Sequence, residues 1–386
     1  MSTGTPGHPD LDRRLQAFIE TATDDPGGEA EFDRLALELF ADQYEHNTAY
    51  RRYCRSRRTD PGRVSTWTQI PPVPLSAFKE LTLACGPAED SAAVFLTSGS
   101  TDPSRRGRNH HPHLHLYDAS LRTNFARCFL PDREQLRLLV VGPRPERQPE
   151  SSLAYFLGRL VDFFGAPGSD FFVDDDGLQT ARLCDALRAA QDEGVPVGLL
   201  GASFAYVHLL DALEQQGLSF RLAEGSRLLD TGGFKGRSRE VSAQTLRAWC
   251  GRRLGIPDAA CVNYYGMTEI STQYYDTTLR PWSRGATSPA RYKTVPPWAR
   301  IRVVDPETAE PVDPGGQGLI VHHDLANRGS CLAVLSEDIG YLVPAGSTGP
   351  SEPGGFVLLG RADGAEARGC SLALDELLAA DVRRPR

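Results

Sequence analysis

The amino-acid sequence predicts an α/β fold, with a mostly parallel sheet and flanking helices followed by a small antiparallel β subdomain. Two observations lead to this prediction. Between residues 94 and 270, short apolar runs alternate with segments whose apolar residues have helical spacing, which is the pattern of βαβ units. From about residue 288, short apolar runs are separated by glycine- and proline-containing turns, which is typical of antiparallel strands.

Length and composition limit the function classes. The chain has 386 residues, of which 40% are hydrophobic and 24% charged, as expected for a globular protein with two or three lobes. The net charge of −8 argues against a general nucleic-acid binder. The sequence has neither an apolar run long enough for a membrane span nor a secretory signal. Its eight cysteines are scattered without a Cys-x-x-Cys pair, which predicts reduced thiols and a cytoplasmic location.

Residues 1–93 are predicted to form a helical N-terminal region and lead-in. The first 30 or so residues are polar and rich in proline and glycine. Prolines make 70–75 an extended connector, because each disfavours helix in the residue before it. Helices are predicted over 31–47, 51–58 and 77–80, the last capped by Ser76.

Residues 94–287 are predicted to form the α/β core, residues 288–360 the small β subdomain, and residues 361–386 a hinge-like C-terminal tail. In and beside the core, strands are predicted over 93–96, 136–141, 195–200, 226–229 and 259–262, and helices over 152–164, 178–191, 203–213 and 239–254. In the subdomain, strands are predicted over 300–304, 318–322, 332–335 and 356–359.

The stretch Asn263-Tyr264-Tyr265-Gly266-Met267-Thr268-Glu269 follows the last predicted strand of the core. In α/β sheets ligands bind beyond the carboxyl ends of the strands, and glycine allows the chain to turn sharply there. Tyr265 offers a flat face for a base, Thr268 a hydroxyl for a phosphate, and Glu269 a hard oxygen ligand for Mg²⁺. The alternative is that the glycine serves only the turn.

A second stretch, Leu96-Thr97-Ser98-Gly99-Ser100-Thr101, places four hydroxyl residues around one glycine directly after a predicted strand. Such a loop can cradle phosphates through its N–H groups and hydroxyls. The Gly-Lys-Ser/Thr ending of a Walker A loop is missing. The alternative is an ordinary Ser/Thr-rich turn.

A third stretch is Asp230-Thr231-Gly232-Gly233-Phe234-Lys235-Gly236-Arg237. Its glycines allow close approach to a ligand, and Lys235 and Arg237 can meet phosphate or carboxylate charge. The alternative is a strand-to-helix turn whose basic residues are solvated.

Two further stretches carry charge beside glycine. Ser336-Glu337-Asp338-Ile339-Gly340-Tyr341 places acidic groups before a glycine turn, suited to gripping ribose hydroxyls, and Gly360-Arg361-Ala362-Asp363-Gly364 follows it. The alternative is that both are plain turns, where aspartate is common.

These five stretches occur in the order and rough spacing of one family. They resemble the signatures of acyl-adenylate-forming ligases, which read Thr-Ser-Gly-Thr-Thr-Gly, Tyr-Gly-x-Thr-Glu, Gly-Asp and Gly-Arg-x-Asp. Three segments are similar to the acyl-protein synthetase (LuxE-type) branch. They are the lead-in 70–79, the stretch 231–237 and the ending Ala367-Arg368-Gly369-Cys370-Ser371. The resemblance covers roughly residues 70–375.

The resemblance implies the N-terminal domain of an adenylate-forming ligase, with the large mobile C-terminal domain missing, since only sixteen residues follow Cys370. It implies that ATP and Mg²⁺ activate a carboxylic acid of the fatty-acid class. The acyl group would then pass from acyl-AMP to the Cys370 thiol and on to a reductase-like or carrier-protein partner. The resemblance implies three catalytic residues, Cys370, Glu269 and Thr268, of which Glu269 would also bind Mg²⁺. Lys235 and Arg237 would meet the charge of the phosphates or the substrate. The residues implied for nucleotide binding are Thr97, Ser98, Gly99, Ser100, Thr101, Gly232, Gly233, Tyr264, Tyr265, Gly266, Asp338 and Arg361.

Cys370 follows Gly369, which permits backbone motion, and Arg368, which could favour the thiolate. The alternative is a buried thiol beside a helix that packs on the core.

The phosphate loop departs from the family pattern. It continues Asp102-Pro103-Ser104-Arg105-Arg106 where the family has Gly-x-Pro-Lys, so Arg105 or Arg106 could replace the lysine's charge. Two other functions stay open at this point. One is a ligase with coenzyme A as acceptor, and the other is a non-catalytic nucleotide- or acyl-binding protein.

A histidine cluster over 110–115 admits several interpretations. His111, His113 and His115 alternate, so a strand would present all three to a metal. No convincing fourth ligand is nearby. The alternatives are histidines that line the mouth of the acyl or nucleotide pocket, or that are simply exposed.

Overall fold

The computed structural model describes residues 9–22, 28–97, 105–232, 238–313, 315–346 and 354–362. The chain divides into two compact units. The first unit is Met1–Thr123, Met267–Thr272 and Tyr292–Arg386, and the second unit is Asn124–Gly266 and Gln273–Arg291. The division into four segments at 93, 287 and 360 stays a prediction.

The helices and strands are spread over the whole described chain. The helices are α1 (Pro9–Glu20), α2 (Glu29–His46), α3 (Thr48–Ser56), α4 (Ala77–Glu80), α5 (His115–Cys128), α6 (Ser152–Phe164), α7 (Thr180–Glu193), α8 (Ser203–Gln215), α9 (Ala243–Leu254) and α10 (Leu279–Trp282). The strands are β1 (Val73–Pro74), β2 (Ala93–Leu96), β3 (Arg108–His111), β4 (Arg137–Pro143), β5 (Asp170–Asp174), β6 (Gly177–Leu178), β7 (Val197–Ala202), β8 (Arg227–Thr231), β9 (Cys261–Tyr265), β10 (Tyr274–Tyr275), β11 (Lys293–Thr294), β12 (Ala299–Val304), β13 (Gly318–Asp324), β14 (Ala333–Val343) and β15 (Gly355–Arg361).

The second unit contains a seven-stranded sheet in the order β10-β9-β8-β7-β4-β5-β6. Strands β5, β4, β7, β8 and β9 run parallel, and only the edge strands β6 and β10 are antiparallel to their neighbours. The chain starts in the sheet at β4, adds β5 on one side and then returns to add β7 on the other. The mostly parallel sheet with flanking helices is therefore confirmed, with its strand order reversing beside β4.

The central strands of this sheet are continuous apolar runs. Leu138, Leu139 and Val140 of β4 and Leu199 and Leu200 of β7 are all buried. A strand covered on both faces needs apolar residues at every position, so the runs do not alternate with polar residues.

The first unit contains a six-stranded sheet whose main path is β11-β15-β14-β13-β12. All pairs along this path are antiparallel, which confirms the predicted antiparallel subdomain. The predicted connector 70–75 contributes the short strand β1, which pairs in parallel with β14 through Val73 and Val334.

Strand β2 lies outside both larger sheets. It pairs with β3 as a two-stranded antiparallel ribbon, in which Phe95 is opposite Asn109. The predicted strand 93–96 is therefore correct in its limits, and its partner strand β3 runs antiparallel to it.

Two details of the N-terminal region differ from the prediction. The polar lead contains helix α1, which buries Leu11, Leu15 and Ile19. Three apolar residues in a charged segment give a weak sequence signal. The predicted Ser76 cap is wrong, because its side chain makes no capping hydrogen bond to helix α4.

No helix among the described residues is both long and apolar enough to cross a lipid bilayer. Seven cysteines, at positions 54, 85, 128, 184, 250, 261 and 331, are buried.

Candidate active site

Strand β9 carries the first half of the predicted Tyr-Gly-x-Thr-Glu motif to the carboxyl edge of the parallel sheet. Tyr264 pairs with Thr231 at the end of β8, and the Thr231 hydroxyl donates a hydrogen bond of 3.1 Å to the Tyr264 carbonyl. The Tyr264 ring is buried, 4.9 Å from the ring of Phe156. The Tyr265 ring is half-buried beside Tyr274, at a centroid distance of 6.1 Å.

Gly266 directly follows this strand and is closely surrounded by side chains. A Cβ atom at this position would lie 3.3 Å from the Tyr264 ring and 3.5 Å from the Gln273 side chain. Its φ angle is not positive. Glycine is therefore needed for close packing, whereas the sequence predicted it for a sharp turn.

The chain passes from the second unit to the first between Gly266 and Met267. Thr268 and Glu269 form a turn whose backbone is held by side chains of the first unit. The Asn109 amide donates to the Thr268 carbonyl at 2.9 Å, and the Asn327 amide donates to the Glu269 carbonyl at 2.8 Å. Sequence reasoning missed both asparagines.

The Glu269 side chain is only 4% exposed. Burial raises the pKa of its carboxyl to about 7. Electrostatic interactions with Arg361 and Lys79 act in the opposite direction, and Glu337 adds to the increase. The Glu269 carboxyl therefore lies within electrostatic reach of two cations, which do not fully compensate for its burial.

The stem of the predicted phosphate loop is well defined at Thr97. Gly107 N–H donates to the Thr97 hydroxyl at 2.8 Å, and Thr97 N–H donates to the Gly107 carbonyl at 2.9 Å. Gly107 is needed here, because a Cβ atom would lie 3.0 Å from the Thr97 methyl group and 3.4 Å from Phe78 Cβ. The stem therefore packs directly on helix α4, which carries Phe78 and Lys79.

The two arginines that follow the loop have partners within the first unit. Arg105 forms an ion pair with Glu80, and Arg106 Nε donates to the Thr97 carbonyl at 2.6 Å. Their suggested role as a replacement for the family's lysine stays a prediction.

The predicted ribose-binding stretch 336–341 lies inside the long strand β14, so both the glycine turn and the plain turn are wrong. A register shift between Ile339 and Gly340 interrupts its pairing with β15. Asp338 is opposite Arg361 in the sheet, with Arg361 Nε 3.8 Å from Asp338 Oδ1. The structure thus brings two of the predicted nucleotide-binding residues together.

The third predicted stretch begins at the end of β8 with a buried polar cluster. The Ser203 hydroxyl donates to Asp230 Oδ2 at 2.7 Å, and the Asn263 amide donates to the same oxygen at 3.0 Å. Gly232 has a φ of +70°, which favours glycine. Ser203 and Asn263 were not predicted as site residues. Ser203 directly follows β7, and Asn263 lies within β9 in the first motif stretch.

Several predicted site residues lie outside the described residues. They are Ser98, Gly99, Ser100, Thr101, Gly233, Lys235, Arg237 and Cys370.

The histidine cluster does not share one strand face. His111 belongs to β3, whereas His115 begins helix α5. His111 is buried 5.0 Å from the ring of Phe95, and burial lowers the pKa of its imidazole to about 3. No group of three or more His, Cys, Asp or Glu side chains that could hold a metal ion occurs in the part of the chain that the structure describes.

The sequence profile of the family described as "Acyl-protein synthetase, LuxE" matches residues 24–379. The chain belongs to the LuxE acyl-protein synthetase family. The resemblance inferred from the five motifs is thereby confirmed, and with it the assignment of the chain as an AMP-forming ligase of the acyl-protein synthetase type.

Two curated proteins similar to this LuxE-family chain are both named long-chain-fatty-acid–luciferin-component ligase. The protein from Aliivibrio fischeri is 20% identical over 357 residues, which cover 91% of this chain and 89% of the relative. The protein from Vibrio harveyi is 20% identical over 313 residues, which cover 80% of this chain and 78% of the relative.

Solved structures of 2-hydroxyisobutyryl-CoA ligase share the fold. An open conformation with 2-HIB-AMP and CoA has a TM-score of 0.61 at 16% identity, covering 86% of this chain and 70% of that chain. A postadenylation state with 2-HIB-AMP has a TM-score of 0.63 at 16% identity, covering 93% and 72%. The predicted adenylate-forming ligase fold is confirmed, in a chain shorter than these ligases.

Proposed function

We propose that this chain uses ATP to convert a fatty acid into acyl-AMP and then transfers the acyl group to its own Cys370 thiol and on to a protein partner. The match to the acyl-protein synthetase family over residues 24–379 carries the proposal. The names of the curated relatives support a long-chain fatty acid, and the family's description as an acyl-protein synthetase supports a protein acceptor. The cytoplasmic location predicted from the sequence belongs to the same proposal.

Glu269 is the residue best suited to hold Mg²⁺. Its carboxyl is buried, and burial raises its pKa to about 7 despite the positive charges of Arg361 and Lys79. A divalent cation would supply the missing positive charge at a hard oxygen ligand. When bound, Mg²⁺ neutralises phosphate charge, and the remaining ligands in such sites come from phosphates and water.

In the first step, a carboxylate oxygen of the acid attacks the α-phosphorus of ATP. The bond between the α-phosphorus and the bridging oxygen to the β-phosphorus breaks, and pyrophosphate leaves. The chain's contribution is alignment and charge neutralisation. Thr97, Thr268 and the loop residues Ser98, Gly99, Ser100 and Thr101 are assigned to the phosphates, with Lys235 and Arg237 as further positive charges.

The sequence motifs assign further residues to the nucleotide. Asp338 would accept hydrogen bonds from the ribose hydroxyls, with Arg361 beside it. Tyr265 would stack on the adenine, because its ring is half-buried and lies at the end of a parallel strand. Gly232, Gly233, Tyr264 and Gly266 would shape the backbone around it.

In the second step, the Cys370 thiolate attacks the carbonyl carbon of acyl-AMP, a thioester bond forms and AMP leaves. The thiol proton is lost before or during the attack, since the thiolate is the nucleophile. Arg368 would stabilise that thiolate. Coenzyme A is the alternative acceptor, and the same adenylation step would precede it.

The deciding experiment measures pyrophosphate release and protein acylation in parallel. Radiolabelled fatty acids of graded length are supplied with Mg·ATP, and the denatured protein is tested for a label that hydroxylamine removes. We expect both pyrophosphate and a hydroxylamine-labile label with the wild type. Cys370→Ser should keep adenylation and lose the label, whereas Cys184→Ser, which alters a buried thiol on α7, should retain both.

Other outcomes decide between the alternatives. A Cys370→Ser protein that labels like the wild type would reject Cys370 as the acyl carrier. Acyl transfer that requires added coenzyme A would favour the coenzyme A ligase. ATP binding without pyrophosphate release for any acid would favour the non-catalytic binding protein.

A further inference from the structure

The backbone of residues 268–272 lies outside regular secondary structure, so its polar groups need partners other than a helix or sheet ladder. The carbonyl oxygens of Thr268 and Glu269 find them in two side-chain amides. Asn109 Nδ2 lies 2.9 Å from the Thr268 oxygen, and Asn327 Nδ2 lies 2.8 Å from the Glu269 oxygen. The backbone carbonyl groups of Glu269, the metal ligand proposed above, and of Thr268 before it are therefore both held in place.

The next residues are fixed through their N–H groups. Asp324 Oδ2 accepts hydrogen bonds of 2.8 Å from both Ser271 N–H and Thr272 N–H, and its Oδ1 accepts one of 2.8 Å from the Thr272 hydroxyl. Asp324 and Asn327 belong to one short segment, Asp324-Leu325-Ala326-Asn327, directly at the end of β13. This segment therefore holds the turn at the Glu269 carbonyl and at the two residues Ser271 and Thr272 that follow it.

The holding side chains are themselves immobilised. Asn109, Asp324 and Asn327 are each 0% exposed. Asn327 Nδ2 also donates to the Cys331 carbonyl at 2.7 Å, and Asn327 Oδ1 accepts from the Ser271 hydroxyl at 3.2 Å. Asn109 sits in β3 opposite Phe95 of β2, so its position is set by the strand pair that flanks the phosphate-loop stem.

The Asn109 side chain is also incompletely satisfied. Its Oδ1 is buried and has no hydrogen-bond partner among the residues that the structure describes. A buried amide oxygen without a partner costs folding free energy. An apolar residue would avoid this cost, so the Asn109 amide is better explained by its bonds to the Thr268 carbonyl and, at 3.4 Å, to Asn327 Oδ1 than by packing.

We infer that Asn109 and Asn327 are positioning residues for Glu269: their amides lock the backbone of the Thr268–Glu269 turn so that the Glu269 carboxylate stands ready for the metal–nucleotide complex. This inference rests on the proposed function of Glu269. Partners that orient a metal ligand typically change metal affinity by roughly 10–100-fold when they are removed.

Asn47 provides a matched control. It is an asparagine in the same unit, is also 0% exposed, and donates to the Ser330 carbonyl at 3.2 Å. It caps helix α3 by accepting a hydrogen bond from Tyr50 N–H. Asn47→Ala therefore removes buried hydrogen bonds near the same segment without touching the Glu269 turn.

The test measures metal binding rather than turnover. Full-length wild type, Asn109→Ala, Asn327→Ala and Asn47→Ala are titrated with Mn²⁺ in the presence of α,β-methylene ATP, which cannot be cleaved between the α- and β-phosphates. Free Mn²⁺ is followed by its EPR signal, and thermal melting without ligand reports stability. We expect Asn109→Ala and Asn327→Ala to raise the Mn²⁺ Kd about tenfold or more, and Asn47→Ala to lower the melting temperature with Kd within twofold of wild type.

Wild-type Mn²⁺ affinity in Asn109→Ala would overturn the inference, as would an equal loss of affinity in Asn47→Ala. Asn109→Ala removes the bonds of the amide to the Thr268 carbonyl and to Asn327 Oδ1 together with an unsatisfied oxygen, so it decides the question even if Asn327→Ala does not fold. If the wild type itself binds no Mn²⁺ with the nucleotide analogue, the proposed role of Glu269 fails, and the positioning role fails with it.

Discussion

Asp338 and Arg361 are opposite each other in strands β14 and β15, with 3.8 Å between Arg361 Nε and Asp338 Oδ1. The Arg361 side chain is 61% exposed, whereas that of Asp338 is 14% exposed. An ion pair as long as this one, with a largely exposed arginine, contributes little to the free energy of folding. The pair nevertheless places a carboxylate and a guanidinium side by side, which suits a ligand that carries hydroxyl groups and negative charge.

Asp338→Ala is expected to raise the KM for ATP about tenfold with a smaller effect on kcat, because the ribose hydroxyls lose a charged hydrogen-bond acceptor. Pyrophosphate release at varied ATP concentration measures both constants. Asp313→Ala, which removes an exposed aspartate of the same unit, serves as the control. An unchanged KM in Asp338→Ala would mean that Asp338 serves only the strand pair.

Glu269→Gln is expected to reduce adenylate formation at least about 100-fold, because a neutral amide is a poor ligand for a hard cation. The fold should persist. The folded-state pKa of about 7 lies above the ordinary value of 4.5. At a pH above both values, the buried ionised carboxylate therefore makes the folded state less stable. Glu269→Gln should therefore melt at the same temperature as the wild type at pH 8, or higher. Pyrophosphate release equal to wild type would rule out Glu269 as the ligand.

Lys79→Met is expected to slow adenylation about tenfold, and Lys79→Arg should restore most of the rate. Lys79 is exposed on the helix that packs against the phosphate-loop stem, and its charge acts on Glu269. It is one of only three lysines, with Lys235 and Lys293. Single-turnover formation of acyl-AMP is the measurement. Equal rates for Lys79→Met and wild type would show that the charge is not used.

The pH dependence of the free energy of unfolding should reflect the burial of the His111 ring. Its folded-state pKa of about 3 lies below the ordinary 6.5, because burial disfavours the charged ring. Below pH 6.5 the unfolded chain takes up a proton that the folded chain does not, so stability is lost as the pH falls. At pH 5 this loss is about 2 kcal/mol for one such group.

Urea unfolding of wild type and His111→Gln at pH 8 and pH 5 tests this. The variant lacks the titrating ring, so the stability of the wild type relative to the variant should fall by about 2 kcal/mol between the two pH values. His208→Gln, at an exposed position, should show no such change. A wild-type-to-variant difference that is the same at both pH values would contradict the burial argument for His111.

The strongly apolar and periodic elements were predictable from the sequence. The apolar run of β4 and the apolar stripes of helices α6 and α8 are visible in the sequence because their residues are buried. Helix α5 was missed, since its segment begins with histidines and mixes polar with apolar residues over His115–Cys128. The turn predicted over 336–341 proved to be part of β14, because the irregularity at Ile339 and Gly340 is absorbed by a register shift.

The motifs of the candidate site were predictable from the sequence, but the hydrogen bonds that hold them in place were not. Tyr265, Glu269 and Asp338 belong to short motifs that can be recognised in a single sequence. The bonds of Asn109 and Asn327 to the turn at 268–269 join residues far apart in the chain, and no local pattern encodes them. The elevated pKa of Glu269 also arises from burial by distant segments.

The pairing of Val73 in β1 with Val334 in β14 has a consequence for biosynthesis. A ribosome releases β1 and the N-terminal helices long before it has made their partner strand, whereas the second unit is drawn almost entirely from the uninterrupted stretch Asn124–Gly266. Because nascent domains fold as their residues emerge, the middle of the chain should acquire its structure first. Strand β1 can then pair with β14 only after β14 itself has been synthesised.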